Sequence, residues 1–198
     1  MNYRLACLAA AALFAAAALA DDLTPVQRLD QSKAAWAKLK ADSGGNYEYE
    51  VHFQSWVGFG HKTTIVVKDN KVVERRFVKT HANRAKVMHI GPDGVPREDP
   101  DPPPEGWTET GDQIGKHGDG AAEPKTIDTL YDEASQVLQR KLGPDEKLYV
   151  DYYPNGVLRF CFWIDTHIAD DTPRHGPKID ELRMSKPAAS QPATNPRT

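Results

Sequence analysis

The segment 165–175 contains the residues in this sequence that are best suited to chemistry. It holds two imidazoles and three carboxylates, at Asp165, His167, Asp170, Asp171 and His175. Imidazole nitrogen and carboxylate oxygen are ligands that suit Zn²⁺ or Cu²⁺, so the segment is a candidate metal site. Its spacing matches neither the His-Glu-x-x-His motif of metalloproteases nor an EF-hand loop. The alternative is a solvated acidic loop, which the pattern favours because runs of charge usually mark solvated surface.

A second candidate site is the segment 56–61, which reads Trp-Val-Gly-Phe-Gly-His. Trp56, Phe59 and His61 are predicted to lie at a glycine-hinged hairpin tip, where aromatic side chains can anchor a contact with a protein or a glycan. The alternative is that Trp56 or Phe59 folds back over the edge of the sheet or is covered by another part of the chain. These three residues are the candidate binding residues.

The sequence contains no recognisable catalytic constellation. Cys161 lies in an apolar strand between Phe160 and Phe162 without an adjacent basic residue. A reactive thiolate needs electropositive and partly exposed surroundings, so we expect a small buried residue instead. The chain also lacks a Gly-x-Ser-x-Gly elbow, a phosphate-binding glycine loop and a dinucleotide fingerprint. The sequence therefore predicts a protein that is not an enzyme and has no cofactor, apart from the Zn²⁺ or Cu²⁺ considered above.

The overall charge argues against one class of partner. The chain has 198 residues, with 25 Lys and Arg against 28 Asp and Glu, and a formal net charge of −3. A nucleic-acid-binding domain should carry a concentrated basic surface, so we expect no nucleic acid among the partners. The length fits one domain of roughly 100–200 residues with irregular ends.

Residues 1–20 have the composition of a cleaved signal peptide. Arg4 is followed by an apolar run that ends in Ala18-Leu19-Ala20, the small-x-small pattern of a signal-peptidase site. The run from Leu5 to Ala20 is 16 residues long, which is shorter than the roughly 20 residues that span a bilayer. We therefore expect a periplasmic or secreted protein without stable membrane insertion after cleavage. Cys161 is then the only cysteine left, so no internal disulfide is expected.

Two helices are predicted from capping signals and apolar spacing. The first begins after Thr24, with Gln27 placed to complete a capping box, and it ends at a Gly-Gly pair. The second begins after Thr126 and ends before Pro144, with its acidic residues early and its basic residues late.

Five strands are predicted at 46–56, 62–68, 72–79, 148–152 and 157–165, and in the first of them Tyr47, Tyr49, Val51 and Phe53 alternate with Glu48, Glu50, His52 and Gln54. The segment 91–125, which is crowded with Pro, Gly and acidic residues, is predicted to be a long irregular insertion. The tail 187–198 has the composition of a disordered end. Residues 21–186 should therefore form one α+β domain, an antiparallel sheet of about five strands with two helices packed on one face, in the order α-β-β-β-long loop-α-β-β.

The last predicted strand has two faces that alternate along the chain. Leu158, Phe160, Phe162 and Ile164 share one face, opposite Cys161. We expect the larger apolar set to meet the helices, so that a charge at Phe160 would severely destabilise the fold.

Several short motifs resemble an uncharacterised family of small exported bacterial α+β domains, a family of domains of unknown function. The motifs are Trp36 in the first helix, Asn46-Tyr47-Glu48-Tyr49, Val67-Lys68-Asp69-Asn70-Lys71-Val72-Val73 and Thr126-Ile127-Asp128-Thr129-Leu130-Tyr131. The resemblance covers roughly residues 33–165 and implies an α+β fold without assigning catalytic residues. Many members carry cysteines after the first strand or near the last. This chain has Gln54-Ser55-Trp56 at the first place and only Cys161 at the second, so no disulfide is implied.

Four functions remain open at this stage. The first is an exported, non-enzymatic binding domain that contacts an unknown protein or peptide of the bacterial envelope. The second is a periplasmic metal-binding protein that uses the His/Asp segment after the last strand. The third is a protease-inhibitor-like domain, suggested only because folds of this shape are similar to cystatin-like and peptidase-propeptide-like domains. The fourth is a hydrolase whose catalytic residues come together only in the fold.

Export is the most direct prediction from the sequence. Mass spectrometry of the periplasmic or secreted protein is expected to find Asp21 as its first residue, because cleavage should follow Ala20. An intact N-terminus retained in the membrane fraction would contradict the predicted cleavage.

Overall fold

A computed structural model describes residues 23–55, 58–81, 88–98, 105–118, 120–168 and 172–185. The predicted signal peptide, the tail 187–198 and the candidate residues Trp56, Asp170 and Asp171 lie outside the described residues. The helices are α1 (Pro25–Asp42) and α2 (Ile127–Gln139), with a short 3₁₀ turn at Gly111–Gln113. The strands are β1 (Tyr47–Gln54), β2 (Phe59–Lys68), β3 (Lys71–His81), β4 (Met88–Ile90), β5 (Pro96–Glu98), β6 (Gly106–Thr110), β7 (Glu146–Tyr152), β8 (Leu158–Asp165) and β9 (Glu181–Met184).

The central element is an antiparallel sheet of five strands in the order β6-β3-β2-β1-β9. The predicted α+β class and the five-stranded antiparallel sheet are confirmed. Two of its strands differ from the predicted ones, because β6 comes from the segment predicted to be irregular and β9 from the chain after the last predicted strand. The predicted strands β7 and β8 instead form a two-stranded sheet of their own, and β4 pairs with β5 in a small separate hairpin.

The segment 175–180 links the β7–β8 hairpin to the five-stranded sheet. On one side, the Cys161 N–H donates to the carbonyl of Pro177 at 3.0 Å, and the Ile179 N–H donates to Arg159 at 2.7 Å. On the other side, the Asp180 N–H donates to the carbonyl of Glu50 in β1 at 2.8 Å. Because the chain then continues into β9, the same segment joins both sheets before it becomes an edge strand.

The first helix begins and ends where its sequence predicts. The Thr24 side chain accepts a hydrogen bond from the Gln27 N–H, and the Gln27 side chain accepts one from the Thr24 N–H. This reciprocal capping box satisfies two of the N–H groups that a helix start leaves unpaired. After the helix, Gly44 and Gly45 adopt positive φ angles of 62° and 74°, a backbone region that favours glycine.

The two helices cover one end of one sheet face. Trp36 of α1 packs edge-on against Tyr47 of β1, with ring centroids 4.9 Å apart, and both residues are buried. The Ile127 N–H at the start of α2 donates to the Tyr47 hydroxyl at 3.1 Å. The Tyr49 hydroxyl donates to the carbonyl of Lys125 at 2.8 Å. The start of α2 is therefore fixed over the first residues of β1.

A buried tyrosine joins α1, α2 and β8. The Tyr131 hydroxyl of α2 lies 2.6 Å from the Ser32 hydroxyl and donates to the Ser32 carbonyl at 3.0 Å. The same oxygen accepts a hydrogen bond from the Leu158 N–H of β8. All three residues are buried, so this network satisfies polar groups that would otherwise be costly in the core.

The predicted inward face of β8 is wrong beyond Leu158. Cys161 is fully buried in the core cluster, and its thiol contacts the Ala134 carbonyl of α2 at 3.7 Å. Phe160 and Phe162 alternate with Cys161 and therefore lie on the face away from the helices. The reason is a register shift in the β7–β8 ladder between Asp151 and Tyr152, which puts Leu158 and Cys161, three residues apart, on the same side.

The two faces of β8 can be tested with one change made on each side. Cys161→Asp is expected to lower the free energy of unfolding by about 4 kcal/mol or more, because it buries an unpaired charge against α2. Phe160→Asp should cost only about 1–2 kcal/mol, since Phe160 is partly exposed and the new carboxylate would lie beside Arg159. Urea denaturation followed by circular dichroism measures both. If Phe160→Asp lowered the free energy of unfolding more than Cys161→Asp, the face of β8 that the sequence predicted to be buried would be the buried one.

Candidate functional site

Six aromatic rings contact one another in a row across the sheet, which we call the ring row. In order from the β6 edge they are His117, Trp107, Phe77, His61, Phe53 and Phe59. Successive ring centroids lie 4.5, 5.3, 5.1, 5.1 and 6.3 Å apart. Side chains that contact in this way across strands stabilise a sheet and hold one another in place.

Strand register explains why these rings meet. Phe53 of β1 is directly opposite His61 of β2, and Phe77 of β3 is directly opposite Trp107 of β6. Side chains alternate between the faces of a sheet, so these residues all lie on the face that α1 and α2 cover at its other end. The row therefore crosses four adjacent strands on one face.

The chain segment that covers this face leaves the Phe53–Phe59 end of the ring row exposed. Residues 115–118 and 120–125, which precede α2, cover this face, and we call them the covering segment. Going back from α2, the Ala122 N–H donates to the Thr63 hydroxyl of β2 at 3.0 Å, and Gly120 lies next to His61. The covering segment then turns to His117, which stacks on Trp107. Phe53 is left 41% exposed and Phe59 54% exposed. We call Phe53, Phe59 and His61 the open end of the ring row.

His61 is neutral in these surroundings. Burial lowers the pKa of its imidazole from the ordinary value of 6.5. Its Nδ1 is buried without a hydrogen-bond partner among the described residues, and its ring lies between Phe53 and Phe77. The open end therefore has an apolar and uncharged character at neutral pH, in spite of its histidine.

A buried ion pair holds the covering segment on the sheet. Arg75 of β3 and Glu109 of β6 lie 3.0 Å apart, with side chains 3% and 0% exposed. The guanidinium of Arg75 also donates to three backbone carbonyls of the covering segment, at His117, Ala121 and Ala122. Its charge lies 5.0 Å from the centre of the Trp107 ring.

The Glu109 carboxylate, like the guanidinium of Arg75, has several hydrogen-bond partners in the covering segment. It accepts hydrogen bonds from the backbone N–H groups of Gly115 and His117 at 2.7 and 2.6 Å, and its Oε1 lies 2.9 Å from the His117 ring. Burial by itself raises the pKa of this carboxyl, but the hydrogen bonds from His117, Gly115 and Arg75 outweigh it and lower the pKa to about 2. The group is therefore a buried carboxylate at neutral pH. The segment 91–125, predicted to be irregular, thus contains the strands β5 and β6 and an anchored turn after β6, which is a correction to the sequence analysis.

The described residues of segment 165–175 do not converge on one point. The His167 ring lies 3.5 Å from Asp145 on one side and 3.5 Å from Asp165 on the other, and its side chain is 71% exposed. His175 instead stacks on Trp163, with ring centroids 4.1 Å apart. No three of the described acid, histidine or cysteine groups in this segment come within reach of one ion. Metal binding here stays a prediction without support from the described geometry.

One group in the described part of the chain has ligand atoms close enough for a metal, and it was not predicted. Glu50, His52 and Glu181 bring one ligand atom each within 4.8 Å of one another. However, Glu50 already accepts from Arg183 at 3.1 Å and lies 3.3 Å from the Lys62 ammonium. Burial alone raises the pKa of this carboxyl, but these partners and His52 lower it to about 2.

The cations around Glu50 indicate an ion-pair network instead of a metal site. Arg183 also pairs with Glu181 and Glu48, so each carboxylate already has a positive partner. A divalent ion would have to displace both Arg183 and Lys62, which repel it. Strand alternation puts Glu48 and Glu50 on one face of β1, but their partners in β2, β3 and β9 follow only from the sheet order.

Cys161 fits the predicted structural role. It is fully buried, and burial raises the pKa of its thiol to about 11. The thiolate that a nucleophile requires is therefore scarce at neutral pH. The prediction of a small buried residue is confirmed.

Comparison with known proteins returns no match of any kind. No protein-family model matches the chain, and no curated protein and no solved structure matches it. The resemblance to the exported family with the Asn-Tyr-x-Tyr and Thr-Ile-Asp-x-Leu-Tyr motifs therefore stays a prediction. Among the described residues, no helix has both the length and the apolar composition needed to cross a bilayer.

The Arg75–Glu109 pair predicts a large effect from a small change. Glu109→Gln is expected to lower the free energy of unfolding at pH 7 by about 3–5 kcal/mol, because it leaves the Arg75 charge buried without its partner. The matched control is Glu105→Gln, in an exposed pair with Lys79, which should cost less than about 1 kcal/mol. Equal costs for the two variants, measured by urea denaturation, would contradict the anchoring role.

The pH dependence gives a second readout of the same residue. The pKa of Glu109 is depressed in the folded protein from its ordinary 4.5 to about 2. The stability that its ionised form supplies is therefore complete above pH 4.5 and is lost as the pH falls towards 2. The difference in unfolding free energy between the parent and Glu109→Gln should narrow over that range. A difference that stayed constant from neutral pH to pH 2 would contradict the assignment.

Proposed function

We propose that this protein is an exported, non-enzymatic binding domain whose contact surface is the open end of the ring row. The observation that carries the proposal is the pair of phenyl rings, Phe53 and Phe59, that remain 41% and 54% exposed while they contact each other and Phe53 stacks on the partly buried imidazole of His61. Aromatic side chains of this kind are the residues that most often anchor protein interfaces.

Rigidity supports this assignment. Phe53 stacks on His61, and His61 contacts Phe77 in the buried part of the row. Rings that are already ordered lose little conformational entropy when a ligand covers them, so more of the burial energy appears as affinity. The other large exposed apolar residues of the described chain, Val26, Met88, Ile90, Val95 and Ile168, belong to none of these ring contacts.

The chemistry of the open end favours an apolar partner group. His61 is neutral and both phenyl rings are uncharged, so these three rings offer a charged side chain no hydrogen bond or ion pair that replaces its hydration. We therefore propose an aromatic or aliphatic side chain of an envelope protein or peptide as the group that is bound. Of the candidate binding residues, Phe59 and His61 lie together, Phe53 joins them, and Trp56 lies outside the described residues.

The test uses amino-acid amides as probes of the surface. Titration of the exported chain with N-acetyl-tryptophanamide, followed by ¹⁵N-edited NMR, is expected to shift the amide signals of residues 53, 59 and 61 in a saturable way. The variant Phe59→Ser should weaken this binding at least about tenfold, the cost expected for truncating an aromatic anchor. It should not change stability by more than about 0.5–1 kcal/mol, because the ring is half exposed.

The matched control is Ile90→Ser, which removes an exposed apolar side chain in the separate β4–β5 hairpin. It should leave the titration unchanged. If N-acetyl-lysinamide shifts the same signals equally, or if Phe59→Ser binds like the parent, the open end is not the contact surface. Inhibition of serine or cysteine proteases by the parent but not by Phe59→Ser would instead favour the inhibitor-like alternative.

A further inference from the structure

The β7–β8 hairpin carries a second aromatic surface, on the side away from the helices. Tyr149 and Phe162 are cross-strand partners with ring centroids 5.7 Å apart, and Phe160 lies 5.1 Å from Phe162. We call this the hairpin face. It is separate from the ring row, which lies on the helix-covered side of the five-stranded sheet.

Each ring of the hairpin face has a cation beside it. The Lys147 ammonium lies 5.2 Å from the centre of Tyr149. The guanidinium groups of Arg159 and Arg174 lie 5.9 and 5.4 Å from the rings of Phe160 and Phe162. Lys147, Arg159 and Arg174 are all exposed, so their charged groups are available to solvent while their stems cover apolar surface.

The hairpin face has an excess of positive charge in a chain that is negative overall. Its cations are Lys147, Arg159 and Arg174, and one carboxylate accompanies them, Asp151, which pairs with Arg159 at 3.1 Å. These described residues carry a formal charge of +2, whereas the whole chain has a formal charge of −3.

We propose that the hairpin face binds the anionic phospholipid surface of a membrane. Aromatic rings and Lys or Arg side chains are the groups that settle at the boundary between lipid headgroups and acyl chains. Here, both kinds of group share one face of one hairpin, where Tyr149 and Phe160 are partly exposed and Phe162 lies buried between them and the cations. Lys147 and Arg174 have no carboxylate partner among the described residues, so they can turn to lipid phosphates without breaking an ion pair.

The same observations disfavour a nucleic acid as the occupant. Binding of single strands depends on bases that stack on open ring faces and on a long basic track. On the hairpin face, each ring already lies next to its own cation, and the excess charge is small. Binding to a lipid surface requires only a few cations next to apolar side chains. Lys147, Arg159 and Arg174 lie beside the rings of the hairpin face in this way.

The experiment measures co-sedimentation of the exported chain with vesicles. Binding is expected with vesicles of phosphatidylcholine and phosphatidylglycerol, to be absent with pure phosphatidylcholine, and to weaken at high salt. The double variant Lys147→Gln/Arg174→Gln should bind about 25-fold more weakly, because each cation near such a surface contributes roughly fivefold in affinity. Thermal unfolding verifies that this variant keeps its fold.

The control is Lys38→Gln/Lys71→Gln, which removes the same charge from exposed positions on α1 and at the start of β3. It should bind like the parent, as should Phe59→Ser. Equal weakening in both double variants would show that only net charge matters and would overturn the proposal. Binding to neutral vesicles alone, no vesicle binding, or binding to a single-stranded oligonucleotide instead of vesicles would overturn it as well.

Discussion

The pairing of Arg75 with Glu109 is the interaction on which the organisation of the helix-covered sheet face depends. A buried charge pair is tolerated only when its remaining donors and acceptors are satisfied. Here, the donors of Arg75 bind carbonyls of the covering segment, and Glu109 accepts from two of its N–H groups. The pair therefore requires that segment in order to exist, and the segment requires the pair to stay on the sheet. It acts less as a source of net stability than as a device that selects one path for the chain.

That path determines where apolar surface remains exposed. The chain before α2 follows β2 from the level of Tyr49 to that of His61, one contact after another, and then turns towards β6. Since it turns away at His61, Phe53 and Phe59 have no cover from it. The open end of the ring row is thus a consequence of the route that the ion pair imposes. A surface set by a buried constraint is held in one shape, as a specific contact requires.

Local signals predicted the local structure well. The capping residues Thr24 and Thr126 lie where the two helices begin, and β1 lies within the first predicted strand. These features depend on neighbours in the chain, which the sequence displays directly. The face of β8 was predicted wrongly because a register shift in its ladder with β7 places Leu158 and Cys161 on the same side. A shift of one residue reverses the faces of a strand, and alternation alone does not reveal it.

The site was predictable only in part, for a related reason. Phe59 and His61 are close in sequence and were recognised together, whereas Phe77, Trp107 and His117 join them through strand order. The ion-pair network around Glu50 was equally hard to predict, because Glu50 and Arg183 are 133 residues apart in the sequence. Side chains with compatible chemistry become a site only when the topology makes them neighbours. In this protein, the topology separates the aromatic groups into two surfaces of different charge, a neutral one beside β1 and β2 and a cationic one on the β7–β8 hairpin.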